Sequence, residues 1–231
     1  MRTSDLTLVR GLADTRATLD AWNEEPGAVV ARWLVASSAI AFALLFAVWL
    51  IATVSVPDPS ASFLSLGERP NIGQVIHVIG RNALVLALHA MACVAGFIAG
   101  SSLPLEAQKR SGVWRWVHEK AGPLAIAFVI AATAFSLVTQ ALVLGGATAS
   151  LAAHLDIGAG LLLLGLLAHA LPELVALFLP LAAWMIASRR KDWHELLAAT
   201  IVTVLLAVPV LVASAFVEVY VSPGLLRGLA G

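Results

Sequence analysis

Apolar stretches too long for ordinary core helices set the terms for this chain. They run over roughly 31–56, 80–102, 123–144, 151–188 and 195–221. A bilayer's hydrocarbon core is ~30 Å thick, and about 20 apolar residues cross it as a helix. Backbone polar groups have no water to bond there, so a spanning segment of this kind must be helical. The expected fold is therefore an all-α, polytopic helical membrane bundle. Composition agrees where it matters: charged residues are 12% of the chain, about half the ~25% of soluble domains. Net charge is zero, and no basic block offers an electrostatic footprint for nucleic acid.

The distribution of Lys and Arg orients the bundle, because these residues mark the cytoplasmic side. Arg2, Arg10, Arg16 and Arg32 precede or open the first stretch, and Arg69 is the single basic residue of the 57–79 loop. Lys109, Arg110, Arg115 and Lys120 fill the 103–122 loop. The 145–150 turn has none, Arg189, Arg190 and Lys191 follow the fourth stretch, and Arg227 is alone in the tail. The pattern reads inside, outside, inside, outside, inside, outside. It predicts a multi-pass protein of the plasma (inner) membrane with a cytoplasmic N-terminus. Residues 1–30 form a cytoplasmic amphipathic segment with Leu8, Leu12, Leu19 and Trp22 on one face. Residues 31–223 form the transmembrane helical domain, and 224–231 a short external tail. The first stretch is too long for a signal-peptide core and is expected to remain as an anchor.

The 151–188 stretch is the difficulty. Its 38 residues make about 57 Å of helix, nearly twice the core thickness. Two crossings would carry Arg189–Lys191 outside, so six full crossings with a positive-inside violation are the alternative. The expectation is five full crossings plus a re-entrant or interfacial segment at 151–169, with Pro172 starting the fourth crossing. Trp114, Trp116, Trp184 and Trp193 are expected near the inner boundary and Trp49 near the outer one, as interfacial belts.

Polar residues inside such stretches are expensive and need a partner or a purpose. Arg81, Asn82, His89, Gln140, His169, Glu173 and Glu218 stand out. The topology places most of them in the outer leaflet. Arg81, Asn82, His169, Glu173 and Glu218 form the candidate cluster, with Arg81 paired to one or both glutamates. Glu173, one residue after Pro172, would gain from a helix N-terminus by ~0.3–1 kcal/mol. Glu218, near a helix C-terminus, would not. His169 and Glu173 share a face at i, i+4 on an unbroken helix, but no third ligand is spaced for a metal. Cys93 reads as a small buried hydrophobe. Neither a P-loop nor a GxSxG nor a CxxC occurs. No catalytic residue, metal or cofactor is expected. Gly96 and Gly100 make a GxxxG, a spacing for close helix packing or self-association.

These residues also carry a resemblance. His169-Ala170-Leu171-Pro172-Glu173-Leu174-Val175-Ala176 resembles the His-Gly-x-x-Glu-Leu-x-Ala signature of the stage II sporulation protein M family of integral membrane proteins. Arg81-Asn82 with Gly96 and Gly100, and Glu218 followed by Pro223, are similar to that family's second and last spans. Ala170 stands where the family has glycine, and Arg81 where it has asparagine. The resemblance implies a non-enzymatic scaffold or assembly component of an envelope complex. Its expected partners are the bilayer, other membrane or envelope proteins, and a second copy of the chain. The competing reading is a transporter or channel subunit with an outer-leaflet polar site. An intramembrane enzyme using His169 and Glu173 is the third.

Overall fold

The computed structural model describes residues 7–60, 69–109 and 111–230. Arg2, Arg110 and the middle of the 57–79 loop lie outside them. The described chain is helical throughout, without a strand. Helix α1 (Thr7–Trp22) leads into α2 (Pro26–Val54) and α3 (Ile72–Phe97). A π turn at Ile98–Ser102 joins α3 to the short α4 (Leu103–Gln108). Then come α5 (Gly112–His154), α6 (Ala159–Arg190), α7 (Leu196–Phe216), a second π turn at Val217–Val221, and α8 (Ser222–Leu229). Five helices are long and apolar enough to cross a membrane: α2, α3, α5, α6 and the α7–α8 rod.

They alternate in direction. The residues following α2 meet the end of α5, where the Asp58 N–H donates to Ser150 Oγ at 3.0 Å. At the same end Gly160 of α6 lies under Trp49, and Gly165 under Leu226 and Leu229. At the opposite end Gly11 of α1 faces Phe97 and Leu197, Gly100 of the π turn after α3 faces Trp193, and Gly122 of α5 faces the Ala99 carbonyl. We call these the Ser150 end and the Arg189 end.

Helix α6 is the centre. It packs against α2, α3, α5, α7 and α8. From Glu173 to Trp184 every residue but the half-buried Val175 is buried. A helix apolar on all sides suits that position. Its neighbours bury only a stripe each: Val29, Trp33, Ser37, Ala41, Leu44, Val48 and Ala52 on α2, at spacings of three and four. Lipid is as apolar as leucine, so close packing must hold such helices together. Small residues at the contacts permit it: Ala41, Ala182, Ala198, Ala207 and Ala215 are fully buried.

The re-entrant segment expected at 151–169 is absent. Residues 151–154 finish α5, four residues turn, and α6 then runs unbroken for 32 residues through Pro172 and Pro180. Two misread signals account for this. Gly145-Gly146 looked like a turn, yet both are helical, and a Cβ on Gly145 would meet Ile51 Cβ at 2.6 Å. The glycine lets α5 lie close to α2. The true turn lacks glycine at its left-handed position. Asp156 occupies it at φ 52, with Ile157 N–H donating to Ala152 O at 3.0 Å and Asp156 N–H to Ala153 O at 3.3 Å. That is a Schellman motif on a non-glycine residue, and Lys191 (φ 63) repeats it at the end of α6. As one continuous helix, α6 is long and apolar enough for a single crossing.

Three smaller placements follow. Residues 224–229 continue α8 and are not a tail. Trp184 is buried and Trp193 half-buried, their rings covering Gly96 and Gly100. The space over these glycines is taken by Trp184, Leu196 and Trp193 of the same chain, so the GxxxG lets neighbouring side chains pack close against it. On α1 the buried face is Gly11, Thr15 and Thr18, while Leu12 is 65% exposed.

Candidate functional site

The site begins with two local decisions of the backbone. The first is the start of α3. Asn71 accepts the Gln74 N–H at 3.1 Å, and the Gln74 side chain accepts the Asn71 N–H at 3.2 Å. This capping box starts the helix more than two turns before the apolar stretch begins. It brings His77 onto the same helix as Arg81. The second is Pro223. A proline has no N–H and its ring crowds the carbonyl four residues back. The preceding turn widens into the π turn Val217–Val221, which carries Glu218. Such bulges often mark functional positions.

Arg81, Asn82, His169, Glu173 and Glu218 come together where α3, α6 and the α7–α8 rod meet, toward the Ser150 end. Arg81 Nη2 lies 3.7 Å from Glu218 Oε1, an ion pair too long for a hydrogen bond. The charge of Arg81 also reaches Glu173 and His169, and that of Glu218 reaches Glu173. Asn82 approaches Glu173 without closing a hydrogen bond. His169 Nδ1 and Ser222 Oγ share a bond of 2.7 Å, and Ser222 Oγ lies 3.2 Å from Val217 O. The hydroxyl has one proton. When it goes to the Val217 carbonyl, His169 must donate from Nδ1.

A cavity of about 600 Å³ opens over this cluster. Asn71, Gln74, His77 and Arg81 line it from α3, His169 from α6, and Glu218 and Ser222 from the last rod. Glu173, one turn along α6 from His169, and Asn82, next to Arg81, are buried behind this lining and are not part of it. Two turns deeper on α3, His89 Nδ1 is 3.0 Å from the Leu177 carbonyl. A carbonyl only accepts, so this nitrogen carries the proton and Nε2 presents a lone pair. Next in the seam, the Cys93 thiol donates to Pro180 O at 3.1 Å.

Several of these groups end without a partner. Glu173 Oε2, Glu218 Oε2, His89 Nε2 and Asn82 Nδ2 are buried and unbonded. Buried polar atoms in folded proteins are satisfied in some 90% of cases or more. Three of these four are acceptors. Among the described residues the cation paired with them is Arg81, whose side chain is 57% exposed. The arrangement has room and attraction for a hydrogen-bond donor or a positive charge. Among the described residues no group of three His, Cys, Asp or Glu gathers at metal-binding spacing.

Two sequence expectations look different in place. Glu173 is in the middle of α6, so no helix N-terminus stabilises it. Glu218 lies in a π turn inside a continuing rod, so it does not oppose a helix end. Gln140 is apart from the cluster, bonded to Ser136 of its own helix at 3.1 Å. His77 and Ser222 line the cavity and were not singled out. The Asn71-x-x-Gln74 box and the Ser222-Pro223 pair were the signals that point to them. Above the cluster, outside the spans, Asp58 accepts from the Ser60 hydroxyl and N–H at 2.7 and 2.8 Å. Those bonds hold its carboxyl below the usual carboxylate range.

The chain matches no protein-family model, no curated protein and no solved structure. Fold and site together define its class: a polytopic helical membrane protein with a polar cavity at one end of its bundle.

Proposed function

We propose that this protein is a transporter or channel subunit, or a membrane-embedded receptor, whose cavity takes a small cationic or donor-rich solute. One observation carries the reading: Glu218, with a buried and unbonded carboxylate oxygen, lines the cavity beside the mostly exposed Arg81, and Glu173 Oε2 and His89 Nε2, buried in the same seam, are unbonded too. A purely structural ion pair would close on itself. The positive-inside pattern puts the cavity on the outer face of the plasma membrane and the N-terminus in the cytoplasm. Arg81 then keeps the empty site near neutrality and yields Glu218 to the incoming cation. Discontinuous helices at transporter sites supply a physical parallel for the π turn at Glu218.

The full chain, purified in detergent, provides the test. Thermal unfolding is followed with sodium, ammonium, methylammonium, guanidinium and magnesium at constant ionic strength. At least one cation should raise the midpoint, and the rise should vanish in Glu173→Gln and Glu218→Gln but persist in Gln140→Ala. Flux of that cation into proteoliposomes then separates a transporter from a receptor. A midpoint indifferent to every cation, or a shift that survives both glutamine variants, overturns the reading.

A second reading rests on α5. This helix is 43 residues long, about 64 Å, and only 6% of its most apolar stretch is buried within the chain. Its outward face carries Leu124, Phe128, Phe135 and Leu142. That face suits a neighbouring membrane protein, as in the scaffold implied by the resemblance to stage II sporulation protein M. Co-purification from native membranes, lost on Phe128→Ala with Phe135→Ala, is the outcome expected of it.

A further inference from the structure

A second cavity, of about 700 Å³, lies on the other side of the bundle between α2, α5 and α6. It is within the ~300–1,000 Å³ typical of ligand pockets. Its walls are apolar: Ile40 and Leu44 on α2, Ile130 and Leu137 on α5, Leu181 and Met185 on α6. Along α6 it extends from Leu181 to Arg189, about 12 Å at the helical rise. Thr133 apart, the polar side chains of the lining are Ser188 and Arg189, at its Arg189 end. There Ser188 Oγ is buried without a partner, and the exposed Arg189 closes the lining. Neighbouring Arg190 lies in the field of Glu195. Arg189 has no acidic partner within salt-bridge distance among the described residues.

We propose that this cleft is a lipid site, holding an acyl chain of one anionic phospholipid from the leaflet at the Arg189 end. The hydrocarbon fills the apolar length, and the phosphate meets Arg189 and the Ser188 hydroxyl. Charge complementarity selects this occupant. A hydrocarbon tail along about two turns of helix and an anion at its end, joined at the membrane surface, are two ends of one molecule. A helix of a partner or of a second copy would satisfy the apolar walls and leave the guanidinium and the hydroxyl unanswered. Basic side chains near a membrane surface favour anionic lipid, and here only one of the cluster lines the cleft. The inference does not depend on the cation site at the opposite end.

The experiment is native mass spectrometry of the full chain released from micelles containing equal phosphatidylglycerol and phosphatidylcholine. Wild type should retain one phosphatidylglycerol per chain, about fivefold over phosphatidylcholine, as one favourable basic contact implies. Arg189→Gln should remove the preference while lipid of either kind is still retained. Arg190→Gln, outside the lining, should leave the preference intact. Ala134→Phe or Ala43→Phe should fill the cleft and expel the lipid, with circular dichroism and melting verifying the fold of each. Equal retention of the two lipids by wild type overturns the proposal. So does equal loss of preference in both arginine variants, which would mean a diffuse surface charge. Undiminished retention in the folded phenylalanine variants overturns it too, as does a cleft-dependent dimer without bound lipid.

Discussion

Removing Arg81 should cost far more than removing Glu218, although the two form one ion pair. At 3.7 Å unit charges interact by about 1 kcal/mol in water and about 4.5 kcal/mol at an effective dielectric constant of 20. The arginine side chain is 57% exposed and the glutamate side chain 28%. Solvent screening therefore pulls the pair toward the ~0–1 kcal/mol of exposed bridges, and a coupling of about 1–2 kcal/mol is expected. The single changes are not symmetrical. Glu218→Ala leaves an arginine that reaches water and still faces Glu173, and removes the repulsion between the two carboxylates. Its cost should be about 1 kcal/mol or less. Arg81→Ala leaves two half- to fully buried carboxylates with unbonded oxygens and no cation, a situation costing ~3–5 kcal/mol in soluble proteins. The double variant should fall between the two. Detergent-driven unfolding of the full chain in mixed micelles, read by circular dichroism, supplies the free energies, and the double-mutant cycle isolates the coupling. A Glu218→Ala penalty equal to or above that of Arg81→Ala refutes the reasoning, because the arginine would then not be the shared counter-charge.

Two further predictions test packing and topology. Gly100→Ala should destabilise by ~1–3 kcal/mol, since the Trp193 ring occupies the space its Cβ needs. Gly146→Ala, which opens on free space, should be neutral or gain up to ~1 kcal/mol in the same unfolding assay. A cysteine placed at Arg190 should resist a membrane-impermeant thiol reagent added to intact cells, and one placed at Asp156 should react; the reverse labelling inverts the topology.

How much of this was legible beforehand depends on which physical signal each part needed. Spanning helices announce themselves by composition over some 20 residues, and no tertiary contact is required to read Val29–Val54 or Leu196–Phe216 as apolar. The cluster was legible for a related reason: a charge in an apolar stretch is costly, so Arg81, Glu173 and Glu218 were conspicuous, and a bundle this small has few places to put them. The turn between α5 and α6 was hidden because the glycine rule points to φ > 0 and Asp156 took that conformation instead. Gly145 was hidden in the opposite sense, since its use is a neighbour, Ile51, that one-dimensional spacing cannot supply. The π turn at Glu218 follows from Pro223, but only once the helix is known to continue beyond the proline to Leu229.

The central place of α6 bears on how the bundle is made. Helices α2 and α3 share no substantial contact among the described residues; each leans on α6. Yet α6 is the fourth spanning helix to be synthesised. While the chain emerges, Asn82 and His89 sit in the bilayer before His169, Glu173 and the Leu177 carbonyl exist. Insertion and assembly are therefore separate events in this protein. A ribosome stalled before residue 159 leaves α2 and α3 to meet only through α5, and the polar face of α3, without α6 to cover it, is then what a quality-control protease has to recognise.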